Sequence, residues 1–269
     1  MTGPREIIMA SAAGMTDPAA AITHSGTADL AAVIPAFNAA STVGSVVRGA
    51  LRHLPRVLVV DDGSSDATAA EAGAAGARVV RHTANFGKGA ALRTGFATLL
   101  ADLGRGGPAP FLEGVLTLDA DAQHDPDDIP LFIELFRRER PAVIVGSRAA
   151  YFERMRRARR AMNHFSCAGL RFFAGVDLPD SQSGFRLYDA RFLSRLTLRG
   201  SRYQAEMEAL MQAAGRGLPL ASVPIGLPIV DGQATSHYRF WADTFRIIGV
   251  VLRHWSATRL GRAGSLSEP

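Results

Sequence analysis

Short apolar runs alternate, through the first half of the chain, with segments whose apolar positions recur at helical spacing. Ala31–Pro35, Val57–Val60, Arg78–Arg81, Gly114–Leu118 and Ala142–Val145 read as strands. Between them, helices are predicted up to about His53, in the Ala-rich segment after Asp66, through Leu92, Phe96, Leu99, Leu100 and Leu103, and through Ile129, Phe132, Ile133 and Phe136. Ser and Asp residues in 61–66 are good N-caps for the Ala-rich helix, and Asp125-Pro126 is an N-cap followed by a first-turn proline. Residues 104–110 read as a loop. Repeated strand–helix units predict an α/β fold whose mostly parallel central sheet is flanked by helices on both faces. Such sheets bind ligands beyond the carboxyl ends of their strands, which is where the polar clusters of this half fall.

After Arg148 the pattern changes. Tyr151–Phe173 reads as one helix, Arg-rich at its start and apolar at its end, followed by a loop at Asp177–Arg186 and a helix near Gln204–Ala214. Val223–Val230, interrupted by prolines, has the look of an edge strand. His237–Trp255 reads as a final amphipathic helix. No internal repeat is present.

At 269 residues, 47% hydrophobic and 20% charged, the chain has the makings of one globular domain. Residues 1–28 are rich in Ala, Thr, Gly and Ser without periodicity and are expected to be a mobile extension. The domain is expected over 29–235 and a helix and tail over 236–269. A single Cys, Cys167, rules out an internal disulfide, suits a reducing compartment and reads as a buried small residue. No apolar run reaches the ~18 residues of a spanning helix, and no signal-peptide core is seen in 1–28. The expected location is cytoplasmic, peripheral at the inner face of the cytoplasmic membrane. A net charge of +5 favours anionic partners, whether nucleotides, lipid phosphates or an acidic membrane surface. A nucleic-acid partner is not part of this reading.

The candidate chemistry centres on Asp119-Ala120-Asp121-Ala122-Gln123, directly after an apolar strand. In an extended backbone the two carboxylates share a face, so one hard divalent cation can bridge them with the Gln123 amide oxygen as a further ligand. The plain alternative is a solvated acidic turn. Gly87-Lys88-Gly89 fails the P-loop pattern because no Ser or Thr follows Lys88, and it fails the dinucleotide fingerprint because Leu92 stands where the third Gly belongs. Lys88 at a helix start can still meet a phosphate, or be solvated. Arg148 ends the fifth strand, where it can clamp a phosphate or make a surface pair. Arg154, Arg156, Arg157, Arg159 and Arg160 share a helix with aromatic residues, which suits anionic headgroups. His124 reads as solvated, and Glu206 and Glu208 as solvated charge on a helix, with the alternative that one of the two glutamates faces the crevice.

Val33-Ile34-Pro35-Ala36-Phe37-Asn38, Asp61-Asp62-Gly63-Ser64-Ser65-Asp66, Asn85-Phe86-Gly87-Lys88-Gly89, the Asp119–Gln123 stretch, Gly146-Ser147-Arg148 and Ser183-Gly184-Phe185-Arg186 occur in one order. Together they resemble family 2 glycosyltransferases of the GT-A fold, over about residues 31–235, and within them the dolichol- or polyprenyl-phosphate mannose synthase type. The resemblance implies a Rossmann-like single domain and an inverting transfer from a GDP- or UDP-linked sugar. It implies Mg²⁺ or Mn²⁺ held by Asp119, Asp121 and Gln123. Pro35, Phe37, Asn38, Asp62, Lys88, Asp119, Ala120, Asp121 and His237 are the implied donor-binding residues. Arg148, Arg159, Arg160 and Arg186 are the candidates for an acceptor phosphate, and Asp180 with Arg148 the candidate catalytic pair. Asp180 is the general base if the acceptor is a sugar hydroxyl; a lipid phosphate needs none. Other readings are transfer to a glycan or glycolipid hydroxyl, a nucleotidyltransferase, and an inactive nucleotide-sugar-binding protein.

Overall fold

The structure is a computed structural model, and it describes residues 8–9, 26–103, 111–155, 157–202 and 204–226. The expectations for the 104–110 loop, for 227–230, and for His237 and the rest of 236–269 lie outside the described residues.

Among the described residues eight strands form one sheet: β1 (Ile8–Met9), β2 (Leu30–Ala36), β3 (Val57–Asp61), β4 (Arg78–Arg81), β5 (Gly114–Thr117), β6 (Val143–Ser147), β7 (Arg186–Asp189) and β8 (Leu220–Pro224), in the spatial order β1-β8-β6-β7-β5-β2-β3-β4. The helices are α1 (Val43–Leu51), α2 (Thr68–Ala74), α3 (Lys88–Leu103), α4 (Ile129–Glu139), α5 (Arg157–Ala174), α6 (Ala190–Leu193) and α7 (Gln204–Gly215). The expected mostly parallel sheet is present: every pairing is parallel except those of β7 with β5 and β6.

β2 is apolar throughout, and β3, β5 and β6 are apolar up to their last residues (Asp61, Thr117 and Ser147), because both faces of the sheet are covered. Along β2, Ala31 and Val33 join one core with α3, α5, α6 and α7, while Leu30, Ala32 and Ile34 join a second core with α1, α2 and α4. Pro35 is tolerated in this central strand because the β5 ladder stops at Val33 opposite Thr117, so a missing N–H there breaks no rung. The helical faces behave as their spacing predicts: Leu92, Phe96 and Leu99 are buried on α3, and Ile129, Phe132, Ile133 and Phe136 on α4. Asp125 caps its turn by accepting the Asp127 N–H at 3.0 Å.

Four elements differ from the sequence expectation. Arg186–Asp189, expected to end a loop, is an antiparallel strand whose Arg186 stands opposite Thr117 of β5 and Val145 of β6. Four residues carry too little pattern to reveal a strand defined only by its neighbours. The strand placed at Val223–Val230 starts at Leu220 and ends at Pro224, and it is internal, paired with β6 and β1. Ile8–Met9, within the segment expected to be mobile, pair with Ala221 and Ser222. The expected Tyr151–Phe173 helix is a 3-10 turn over Ala149–Arg154 followed by α5.

Candidate active site

The ends of β2 and β3 are stapled together. Asn38, at φ +49°, donates its N–H to Ser64 Oγ (2.9 Å), and its Oδ1 accepts the Ser65 N–H (2.9 Å). Gly63 makes the turn possible: its φ is +74°, and a Cβ there would sit 2.4 Å from the Ala84 carbonyl carbon. Pro35 and Phe37 are half-buried on this rim. Asp62 is buried and caps no helix; Oδ1 accepts the Phe86 N–H (3.0 Å), Oδ2 accepts the Gly87 N–H (2.7 Å), and His82 Nδ1 lies 2.7 Å from Oδ1. His82 Nε2 continues to Thr94 Oγ1 at 2.9 Å. Asp62 therefore sets the loop that leads into Lys88. A cleft of about 470 Å³, lined by His82, Phe86, Ala90, Arg93, Thr94 and Ser201, opens on this side of the loop.

β5 stops at Thr117, so Asp119–Gln123 is a turn and not a strand extension. The extended-backbone argument for two carboxylates on one face therefore does not apply. Ala122 has φ +58°, and Asp121 Oδ1 accepts the Gln123 N–H at 3.1 Å. Ala120 turns its methyl into the core while its carbonyl accepts the Thr42 hydroxyl at 2.7 Å. Asp119 faces the crevice, and Lys88 Nζ lies 2.5 Å from its Oδ1 and 3.0 Å from Glu206 Oε1. Burial pushes the Asp119 carboxyl up, but the charges of Lys88, His124 and Arg148 outweigh it and hold the group at about 2. Gly184 closes over this pair: a Cβ there would meet Lys88 Nζ at 2.6 Å and both Asp119 carboxylate oxygens at 2.7 Å.

Among the described residues no group of three His, Cys, Asp or Glu forms a ready cation cage. One carboxylate at the crevice, Asp119, is compatible with a hard cation such as Mg²⁺, which takes one or two protein carboxylates and fills its octahedron with water and substrate phosphates. Asp119 is ionised and already carries a cation, the Lys88 ammonium, and the wall at Gly184 leaves no room for a further side chain beside the pair.

Across the crevice, Arg148 Nε and Nη2 reach Asp180 Oδ2 and Oδ1 at 2.7 and 3.2 Å, while the Arg148 and Gln182 N–H groups add bonds of 3.1 and 3.0 Å. The Asp180 side chain is fully buried. Burial raises its carboxyl and the Arg148 charge more than reverses this, leaving it below the ordinary carboxylate value. A carboxylate so engaged is a poor proton acceptor; the geometry makes Asp180 the support of Arg148 and goes against the expected general-base role.

Arg186 is a second correction. It is fully buried, with Nε, Nη1 and Nη2 donating to the carbonyls of Ser183, Glu206 and Ser181 at 2.8, 2.7 and 2.7 Å, so its guanidinium is not available to an acceptor phosphate. It ties the 181–184 loop to the start of α7. Arg160 is exposed on α5, and the Arg159 side chain lies outside the described residues.

Glu206, Glu208 and His124, expected to be solvated unless one glutamate faced the crevice, are all buried. Glu208 accepts the N–H groups of Arg199 (2.7 Å) and Gly200 (2.9 Å). His124 Nδ1 accepts the Asp119 N–H at 3.3 Å, and burial lowers its pKa to about 4, so it is neutral at physiological pH. The sequence held one signal for the two glutamates: α7 carries Ala, Met and Leu on every face, which marks a helix with no solvated side. Cys167 is half-buried against Ser181 Oγ at 3.4 Å, and burial pushes its thiol up.

The profile of the family described as Glycosyl transferase family 2 matches residues 31–197, more than half of the chain. A UDP-N-acetylglucosamine–dolichyl-phosphate N-acetylglucosaminyltransferase of Methanococcus voltae is 30% identical over 223 residues, covering 72% of this chain and 83% of the relative. An undecaprenyl-phosphate mannosyltransferase of Micrococcus luteus is 28% identical over 207 residues, covering 72% and 81%. Among solved structures, glucosyl-3-phosphoglycerate synthase from Mycobacterium tuberculosis, in complex with Mn²⁺, UDP and glucosyl-3-phosphoglycerate, superposes with a TM-score of 0.72 at 19% identity, covering 93% of this chain and 88% of that one. At that identity the likeness is one of fold.

Proposed function

This chain is a glycosyltransferase and belongs to glycosyl transferase family 2, and on that footing we propose that it moves a sugar from a GDP- or UDP-linked donor to the phosphate of a membrane polyprenol, with inversion. The observation that carries the acceptor is the Arg148–Asp180 pair: the carboxylate best placed to act as a base is locked on an arginine. A hydroxyl acceptor needs a base, whereas a phosphate arrives already ionised. The named acceptors of the relatives, dolichyl and undecaprenyl phosphate, support the same choice.

In this reading Asp119 and Asp121, with Gln123, hold Mg²⁺ or Mn²⁺, which when bound neutralises charge on the departing nucleoside diphosphate. Pro35, Phe37, Asn38 and Asp62 form the nucleoside rim. Arg148, held rigid by Asp180, presents its Nη1 edge to the acceptor phosphate. An oxygen of that phosphate attacks the anomeric carbon as the bond to the diphosphate oxygen breaks. Peripheral membrane contact at the cytoplasmic face is supported by α5, whose outer face carries Arg157, Arg160, Phe165, Arg171 and Phe172, the two rings being 56% and 80% exposed. Among the described residues no helix is long and apolar enough to cross a membrane.

The test is a donor panel with Mn²⁺ in which each donor is offered polyprenyl phosphate or a soluble glycan. A lipid-extractable labelled product with stoichiometric nucleoside diphosphate release is expected. Turnover confined to hydroxyl acceptors, or no turnover with any donor, would defeat the proposal.

A further inference from the structure

Of the 30 Lys and Arg residues in this chain, Lys88 is the only lysine. It stands at the start of α3 with its Nζ between two carboxylates, Asp119 (2.5 Å) and Glu206 (3.0 Å). The Lys88 side chain is 16% exposed and that of Glu206 7%. The space is built for an ammonium: a single carbon added at Gly184 would already be 2.6 Å from Nζ, and a planar guanidinium is larger. The backbone of Glu206 is fixed from behind, since its carbonyl receives Arg186 Nη1 at 2.7 Å, and that same guanidinium holds the Ser181 and Ser183 carbonyls of the loop that carries Gly184.

A divalent cation bound by Asp119 would meet the Lys88 ammonium already at its Oδ1. We propose that Lys88 is a resident counter-cation of Asp119 and Glu206 its positioning residue, so that metal entry shifts the ammonium off Asp119 while Glu206 keeps it at the crevice wall, turned toward the donor's diphosphate. The inference rests on Asp119 being a metal ligand. Its consequence is cooperative loading. Metal alone must displace the ammonium, whereas metal arriving with a nucleoside diphosphate gives the ammonium a new anionic neighbour. Linkage makes the effect reciprocal: the metal strengthens nucleotide binding by the same factor.

The experiment is Mn²⁺ binding followed by electron paramagnetic resonance, without and with UDP or GDP, in the full chain and in Lys88→Met, Glu206→Gln, the double variant and Asp119→Asn, each first checked by circular dichroism for folding. Lys88→Met is expected to bind Mn²⁺ alone on the order of tenfold more tightly and to lose most of the nucleotide dependence. Glu206→Gln is expected to bind it more weakly, because the displaced ammonium has lost its holder. The double variant, with a neutral isosteric pair, keeps the fold if Lys88→Met strands Glu206, and it should bind Mn²⁺ alone more tightly than the unaltered chain. Protein carrying ¹³Cε-labelled lysine gives one side-chain signal, and that signal should move on adding Mg²⁺, more so with nucleotide, and stay fixed in Asp119→Asn. Unchanged Mn²⁺ affinity in both Lys88→Met and Glu206→Gln, alongside its loss in Asp119→Asn, overturns the counter-cation role alone. Retention of Mn²⁺ by Asp119→Asn overturns the metal assignment beneath it.

Discussion

Asp180→Asn separates a supporting carboxylate from a catalytic base. The Arg148–Asp180 pair is bidentate, at 2.7 and 3.2 Å, with side-chain exposures of 11% and 0%. Removing one member of such a pair leaves the other charge buried, at about 3–5 kcal/mol, while removing both is far cheaper. Asparagine keeps one acceptor for Arg148 or the Gln182 N–H, so Asp180→Asn is expected at the lower end, about 3 kcal/mol, and Arg148→Met similarly. The double variant should fall short of their sum by about 2–3 kcal/mol. The pH dependence has a definite sign. The folded carboxyl lies below its ordinary value of 3.8, so its contribution is complete above that value and is lost as pH falls through the folded pKa. Urea unfolding followed by circular dichroism should show a constant gap between the unaltered chain and Asp180→Asn over neutral pH, narrowing in acid below about 4. If the two substitutions are additive to within about 0.5 kcal/mol, while Asp180→Asn loses on the order of a hundredfold in kcat and the acid limb of the rate profile, the supporting role is wrong and Asp180 is the base.

Gly184→Ala places a methyl against Lys88 Nζ and the Asp119 carboxylate; both are side-chain ends that can yield, so stability should fall by only about 1 kcal/mol while Mn²⁺ affinity and kcat drop on the order of 10–100-fold, and intact metal binding would show the close approach to be idle. Arg186→Lys puts one ammonium nitrogen where three guanidinium nitrogens reach the Ser181, Ser183 and Glu206 carbonyls, so part of that set loses its donor, a loss of about 2–4 kcal/mol in urea unfolding; a raised acceptor KM with stability intact would restore its phosphate-binding role. Burial lifts the Asp128 carboxyl to about 6, with Asp125 and Asp127 adding to it. Because that exceeds 3.8, the folded state holds the proton longer, and stability falls as pH rises from about 4 to 6. Asp128→Asn keeps an acceptor for the Gly226 N–H, now at 2.7 Å, and should stabilise the protein by about 1–2 kcal/mol at pH 7.5, a gain that fades by about pH 4; no gain in melts at pH 7.5 would refute it.

The repeating strand–helix pattern, the parallel sheet and the crevice at the strand ends are legible in the chain because they depend on local apolar spacing, which is continuous over Ala31–Val145. Asp119 and Arg148 could be named as candidates because each follows a recognisable apolar run, and Lys88 because Gly87-Lys88-Gly89 opens a helix. Their partners were not legible. Glu206 reaches Lys88 only because α7 packs beside α3, and Asp180 reaches Arg148 only because β7 inserts antiparallel between β5 and β6 and carries its preceding loop to the ends of both. Sequence spacing reports which way a residue faces within its own element; it holds no information about a charge supplied from an element 32 or 118 positions away. The chain by itself determined that this is a family 2 glycosyltransferase sheet with a carboxylate at its centre. Only the tertiary structure decided which charges are paired, and so which arginine stands with Asp180 across the crevice, which one holds the fold, and which cation already sits on Asp119.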